Sequence, residues 1–254
     1  MMRFASLGSG SKGNATLVES GDTCLMIDCG FNLKQTLMRL QKIGRKPEDI
    51  TAIFLTHEHG DHIAGVRLFV KHFSTPVYLT AGTAEAEVLQ CLHNPVIIKG
   101  GESYAVGSLR VHATSVSHDA KEPCQFVVED GTYRLGVLTD AGYACEAVQS
   151  AFVDCDSLIL EANYDEDMLA SGAYPEHLKR RVAGDRGHLS NKQALALLQN
   201  LNFENFKNLI IAHVSEKNNH PDKITQLFRE TLGEEIKKMD FICQKQGLDW
   251  RAVF

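Results

Sequence analysis

Short runs of apolar residues alternate along this chain with turn residues and amphipathic stretches. Residues 3–7, 15–19 and 23–28 read as three strands, the first pair joined by a glycine-rich turn and the second by Gly21-Asp22. Asn32 then caps a helix whose apolar positions Leu33, Leu37, Leu40 and Ile43 recur at helical spacing as far as Gly44. Residues 52–55 form a buried strand and a helix starts at 63–72; residues 76–79 and 84–92 repeat strand then helix. In the middle, 109–116 and 124–128 alternate as strands, and Glu129-Asp130-Gly131-Thr132 predicts a hairpin turn into 133–138. After a further strand at 157–160 helices dominate, at 175–182, 191–201 and 222–232, with a strand at 209–212 among them.

Two strand-rich halves, each followed by helices, predict an α/β fold of two mixed sheets packed face to face with helices outside. No Pro/Gly/Ser-rich linker divides the 254 residues, of which 44% are hydrophobic, so one domain over 1–254 is expected. No apolar run approaches the length of a membrane span, and Met1 to Ala5 lead straight into a strand without a signal-peptide pattern. The seven cysteines (24, 29, 91, 124, 145, 155 and 243) are scattered and include no C-x-x-C pair. They read as buried thiols of a reduced, cytoplasmic chain that makes no use of a membrane. A net charge of −6 gives no global sign of nucleic-acid binding, so any polyanion has to be held by a local basic surface. Oligomeric state is not legible.

The strongest chemical signal is Thr56-His57-Glu58-His59-Gly60-Asp61-His62, directly after the apolar run Ala52-Ile53-Phe54-Leu55. Three imidazoles and a carboxylate at a strand end can be aimed at one point, which is what a divalent metal requires. Further candidate ligands stand at expected strand ends elsewhere: His118 after residues 113–117, Asp140 after 136–139, and His213 after 209–212. Each is weak alone; in this order they form a pattern.

That pattern, with Asp28 in I-D-C-G, the H-x-H-x-D-H run and Asp140 in T-D-A-G, resembles the metallo-β-lactamase superfamily. The resemblance implies an αβ/βα four-layer sandwich and two divalent ions, zinc, manganese or iron. It implies that His57, His59 and His118 hold one ion, that Asp61, His62 and His213 hold the other, and that Asp140 bridges them. Asp28 is implied to orient the histidine loop from behind.

Asp140, where many β-lactamases carry cysteine, argues against that activity but leaves thioester hydrolases of the glyoxalase II kind open. Leu160-Glu161-Ala162-Asn163-Tyr164 and Gly187-His188-Leu189-Ser190-Asn191 resemble the H-E-A-T-F and G-H-S-T/S elements of the tRNA-processing nuclease RNase Z. Carried over, Glu161 orients His188, and His188 assists the leaving oxygen. The segments 161–169, 174–191 and 212–221, with Leu7-Gly8-Ser9-Gly10-Ser11-Lys12-Gly13-Asn14, are similar to the YycJ/WalJ/VicX subfamily. The resemblance implies 5′-to-3′ exonuclease action on double-stranded DNA, with a metal-bridging hydroxide as nucleophile, positioned by Asp61 and Asp140. No RNase Z arm and no β-CASP insertion interrupts the chain, so it reads as a minimal phosphodiesterase core. Hydrolysis of small phosphodiesters or thioesters, or a non-catalytic role in a signalling system, remain the alternatives.

Two basic stretches bear on substrate: Lys179, Arg180, Arg181, Arg186 and Lys192 around His188, and Lys34, Arg39, Lys42, Arg45 and Lys46 after Asp28. Charge alone leaves DNA contact and ordinary solvation equally open. Ser9, Ser11, Lys12, Asn14, Ser190, Ser215 and Asn218 are candidate substrate contacts. Gly8-Ser9-Gly10-Ser11-Lys12-Gly13 formally matches a dinucleotide fingerprint, but the β-branched run that follows is a strand where that fold needs a helix. A tight turn near the metals is the better reading. The histidines at 72, 93, 112, 177 and 220 have no motif partner.

Overall fold

The computed structural model of the chain describes residues 1–233 and 238–254. Strands β1 (Arg3–Gly8), β2 (Ala15–Ser20) and β3 (Thr23–Ile27) pair antiparallel; β4 (Ala52–Phe54), β5 (Val77–Thr80) and β6 (Val96–Ile98) continue parallel from β3. Strand β14 (Leu248–Ala252) closes the other edge against β1, giving one seven-stranded sheet. The second sheet runs β7 (Ser103–Val106), β8 (Leu109–Ser115), β9 (Cys124–Glu129), β10 (Arg134–Leu138), β11 (Ser157–Glu161), β12 (Asn208–Ala212) and β13 (Met239–Phe241). It is antiparallel from β7 to β10 and parallel from β10 to β13.

Alternation of side chains along each strand then builds three apolar layers. Phe4, Val18, Leu25, Ile27 and Phe54 from the first sheet meet Phe126, Val128, Val137, Ile159 and Ile210 from the second. The opposite face of the first sheet, with Leu17 and Met26, is covered by α1 (Leu33–Lys42) and α3 (Val66–Phe73) through Leu40 and Phe69. Leu158, Leu160 and Ile211 on the far side of the second sheet pack under α5 (Glu146–Phe152), α8 (Asn191–Asn200) and α9 (Pro221–Leu232). The result is the αβ/βα four-layer sandwich expected from the sequence. No helix among the described residues is long and apolar enough to cross a membrane.

Two expected helices come out differently. The helix at 63–72 is split into α2 (Gly60–Ile63) and α3. The break is where Gly65 donates to Cys29 O at 2.8 Å, an approach so close that a Cβ there would stand 2.1 Å from Phe31 O. The helix at 84–92 shrinks to α4 (Ala81–Ala84), capped early by the Thr80 hydroxyl accepting from Thr83 N, and a single 3₁₀ turn at Glu87–Leu89. Only Leu89 of that turn is buried, so no apolar stripe drives a longer helix.

Candidate metal centre and cleft

The site residues stand at the C-terminal ends of the strands: Asp28 after β3, the histidine run after β4, His118 after β8, Asp140 after β10, Glu161 ending β11 and His213 after β12. Asp28, Asp140 and His213 adopt left-handed backbone, with φ of 61°, 52° and 51°. These are three of the five non-glycine residues with positive φ among those described, so backbone strain concentrates at this rim.

His57, His59 and His118 converge through ring nitrogens. His59 Nδ1 lies 3.0 Å from His57 Nε2 and 3.2 Å from His118 Nε2. Asp61 Oδ2 lies 3.6 Å from His62 Nε2 and 3.5 Å from His213 Nε2. Between the two triads sits Asp140, with Oδ2 3.2 Å from His62 Nε2 and Oδ1 3.4 Å from His213 Nε2 and 4.0 Å from His118 Nε2. Ligand atoms about 2.0–2.2 Å from one tetrahedral ion are themselves about 3.3–3.6 Å apart, a spacing the second triad matches and the first, at 3.0 and 3.2 Å, falls slightly short of. His213 Nε2 and Asp140 Oδ2 are also buried with no hydrogen-bond partner, lone pairs that a cation would satisfy.

The far sides of the His57, His62, His118 and His213 rings are held. Asp28 Oδ2 is 2.8 Å from His62 Nδ1, and Asp28 Oδ1 accepts from Thr56 N–H at 2.9 Å. The Thr56 hydroxyl also reaches His57 Nδ1 at 3.0 Å, and His118 Nδ1 donates to Gly187 O at 2.9 Å. Asn163 Nδ2 lies 3.1 Å from His213 Nδ1 and donates to His213 O at 2.8 Å. Such partners set which nitrogen of each ring is free to face the centre.

The two triads differ electrically. Burial pushes His57 well below the ordinary imidazole range, helped by the neighbouring His62, and burial likewise lowers His118. Burial also works against charge on His62 and His213, but Asp140 and Asp28 lift the former well above its usual value. Asp140, with Asp61 and Glu161, pushes the latter up to about 10. Burial opposes ionisation of Asp61, yet His213 and His62 hold it far below the usual carboxylate range.

Glu161, fully buried, accepts from His188 Nδ1 at 2.7 Å through Oε1, and from Ala141 N and Leu189 N at 3.1 and 3.2 Å through Oε2. The His188 ring stacks on His213 at 5.3 Å between centroids and lines a cleft of about 590 Å³ over the centre. Burial disfavours the His188 imidazolium, but Glu161 more than offsets it and raises its pKa.

The profile of the family described as "Beta-lactamase superfamily domain" matches residues 23–213. This chain belongs to the β-lactamase superfamily. Within it, the chain is 33% identical over 245 residues to exodeoxyribonuclease WalJ of Streptococcus pneumoniae serotype 2 (strain D39), covering 91% of this chain and 90% of that protein. It is 29% identical to exodeoxyribonuclease YycJ of Bacillus anthracis, covering 94% and 91%. Among solved structures, the metallo-β-lactamase fold protein YhfI from Bacillus subtilis superposes with a TM-score of 0.77 at 17% identity, over 99% of both chains, a likeness of fold. The fold of this superfamily implies divalent metal ions, and the His/Asp clusters of this chain are grouped as such ions would require.

Not every residue singled out from the sequence faces the cleft. Ser11, Lys12 and Ser215 line it. Ser9, Asn14, Ser190 and Asn218 do not line it; they are buried and turned to internal partners. Ser190 caps α8 by accepting from Gln193 N, Asn218 backs the Ser215 turn and accepts from Asp165 N, and Ser9 and Asn14 bond each other. The basic helix after Asp28 is largely committed as well. Arg39 lies over Phe31 and donates to Gln244 O and Lys245 O, Lys42 donates to Gln246 O, and Arg45 pairs with Glu19. Of the second basic stretch, only Arg181, on α7 (Glu176–Ala183), lines the cleft, ion-paired with Asp119. His220 instead caps α9, accepting from Asp222 N.

Sequence reasoning missed Thr56, Asp119 and Asn163. Each neighbours a motif residue in sequence, and only the fold shows that its side chain turns to the centre. Asp119 Oδ1 is buried without a hydrogen bond, 3.4 Å from His118 Nε2 and 3.6 Å from His59 Nε2.

Proposed function

We propose that residues 1–254 act as one two-metal phosphodiesterase domain that degrades double-stranded DNA exonucleolytically, with 5′-to-3′ polarity, in the cytoplasm. The observation that carries this is His188. Its Nδ1 is anchored on a buried carboxylate, its ring sits against the centre, and its remaining nitrogen is left for the cleft. That is the placement of a group that protonates or hydrogen-bonds a departing oxygen. The nuclease names of WalJ and YycJ, similar over nearly the whole chain, support DNA as the substrate.

In this reading His57, His59 and His118 would hold one ion and Asp61, His62 and His213 the other, with Asp140 between the two triads as a shared donor. Zinc, manganese and iron all suit such imidazole and carboxylate donors. A pair of divalent ions supplies a water acidic enough to attack at neutral pH and neutralises charge building on the phosphate. The protein does the rest. Asp28 and Thr56 hold the rings, Glu161 keeps the His188 proton on Nδ1, and Arg181, Lys12 and Lys217 put positive charge at the cleft mouth. Lys12 is paired with Glu216 and Lys217 lies over the Tyr174 ring, so these cations are pre-positioned.

The test is digestion of end-labelled duplex DNA beside bis-p-nitrophenyl phosphate and S-lactoylglutathione, with Mn²⁺ or Zn²⁺ supplied. Stepwise shortening of the duplex from its 5′ ends by the wild type, abolished in His59→Ala, is expected. Turnover of the thioester with intact DNA would overturn the reading.

A further inference from the structure

The glycine-rich loop before β2 packs against only one of the two triads. Asn14 is 5% exposed, and its Nδ2 lies 3.3 Å from Asp61 Oδ2, 3.3 Å from Asp61 O and 3.1 Å from His62 Nε2. Its Oδ1 accepts from Ser9 Oγ at 2.9 Å and from Gly10 N at 2.8 Å. Ser9 Oγ in turn accepts the backbone N–H of His213 at 3.0 Å. One short relay of two side chains therefore touches all three members of the triad Asp61, His62 and His213.

The backbone reinforces it. Asn14 N donates to Asp61 O at 2.8 Å, and Gly30 N donates to Asn14 O at 2.9 Å. A Cβ at Gly30 would stand 1.7 Å from Asp61 O, so only glycine lets these segments close. From behind, Gln244 accepts from Lys12 N and donates to Gly13 O, each at 2.9 Å, and Arg39 holds Gln244 O. The loop is thus pinned by the segment just before β14. His57, His59 and His118 make no hydrogen bond to it; their rings are set by Thr56, by Gly187 and by one another.

We infer that Ser9 and Asn14 are positioning residues for the second metal site alone, so that removing the Asn14 amide weakens that site and spares the first. An amide that donates to the Asp61 carboxylate fixes which oxygen faces the centre, and Ser9 fixes the left-handed turn at His213. Loss of either lets two of three ligands drift while the first triad keeps its geometry.

This rests on the two-metal reading above, and its test separates the two. Metal-stripped wild type, Asn14→Ala and Ser9→Ala are titrated with zinc against a chromophoric chelator, which reads sites and affinities without turnover. The wild type is expected to show two sites. In Asn14→Ala one site, that of the first triad, stays within about twofold and serves as an internal control of folding, while the other weakens about 10–100-fold, the usual cost of losing such a support. Ser9→Ala shows the same one-sided pattern to a smaller degree, and decides the matter should Asn14→Ala lose both sites. Both sites unchanged, or both weakened equally in Ser9→Ala, overturns the assignment. A single site in the wild type would overturn the two-metal reading itself, whatever the variants do.

Discussion

Glu161 Oε1 stands 2.7 Å from His188 Nδ1, and the ring it holds is also 3.4 Å from Asp140 Oδ1. A buried carboxylate thus links the cleft residue to the residue between the two triads. If His188 serves the leaving oxygen, His188→Ala lowers kcat on duplex DNA by about 10²–10⁴-fold. Bis-p-nitrophenyl phosphate, whose leaving group needs no proton, loses far less. Glu161→Gln moves in the same direction. Steady-state kinetics on both substrates, with metal content checked, distinguishes this from a general loss of the centre.

Asp28 touches no cleft atom. It holds His62 Nδ1 and the Thr56 backbone and hydroxyl. Asp28→Ala is expected to weaken metal affinity about 10–100-fold while leaving DNA affinity at saturating metal unchanged. Chelator competition beside a DNA-binding titration reads both quantities.

Much of this was legible before the fold was in view. The apolar runs before Asp28, His57, Asp140 and His213 marked central strands and put the ligands at their ends. Fully buried strands show in sequence even when short, as the three-residue β4 does, whereas β6 and β13, equally short, bury only Ile98 between them and leave no pattern to read. The direction in which a side chain turns was not legible. Ser9 and Asn14 follow a glycine-rich turn as phosphate contacts do, yet the loop folds them inward because Gly30 and the Gln244 segment close over it. Likewise Arg39 and Arg181 look alike in sequence; one is consumed by backbone carbonyls and the other faces the cleft.

Arg181 lines the cleft while paired to Asp119, and that pair is partly exposed, so its worth lies in substrate contact more than in stability. Arg181→Gln is expected to weaken DNA binding across all sequences and to reduce the slope of log K against log salt by about one. Fluorescence anisotropy at several salt concentrations, with Ca²⁺ replacing the active metal, measures it. Arg180→Gln, whose side chain folds back on its own helix carbonyl, serves as the control.

Burial pushes the thiols of Cys24, Cys29 and Cys155 up to about 12. An unfolded thiol ionises near pH 8.5–9, so above that range the unfolded chain sheds protons that the native chain keeps. Stability is therefore intact below about pH 8.5 and falls as pH rises toward 12, by about 1.4 kcal/mol per pH unit for each such thiol. Urea unfolding between pH 8 and 11 should show this slope, flattened by one proton in Cys155→Ala. At pH 8 a maleimide should label the exposed Cys91 and Cys243 first, leaving these buried thiols for the denatured chain.

Two ions are proposed to act together on a DNA phosphodiester. This is tested most directly by adding Mn²⁺ or Zn²⁺ stepwise to metal-stripped protein and following, in one series, bound ions per chain and release of nucleotide from 5′-labelled duplex. Activity that stays near background through the first equivalent and rises with the second is the predicted result. Full activity at one ion per chain, or nucleotide release from fully stripped protein, would contradict it.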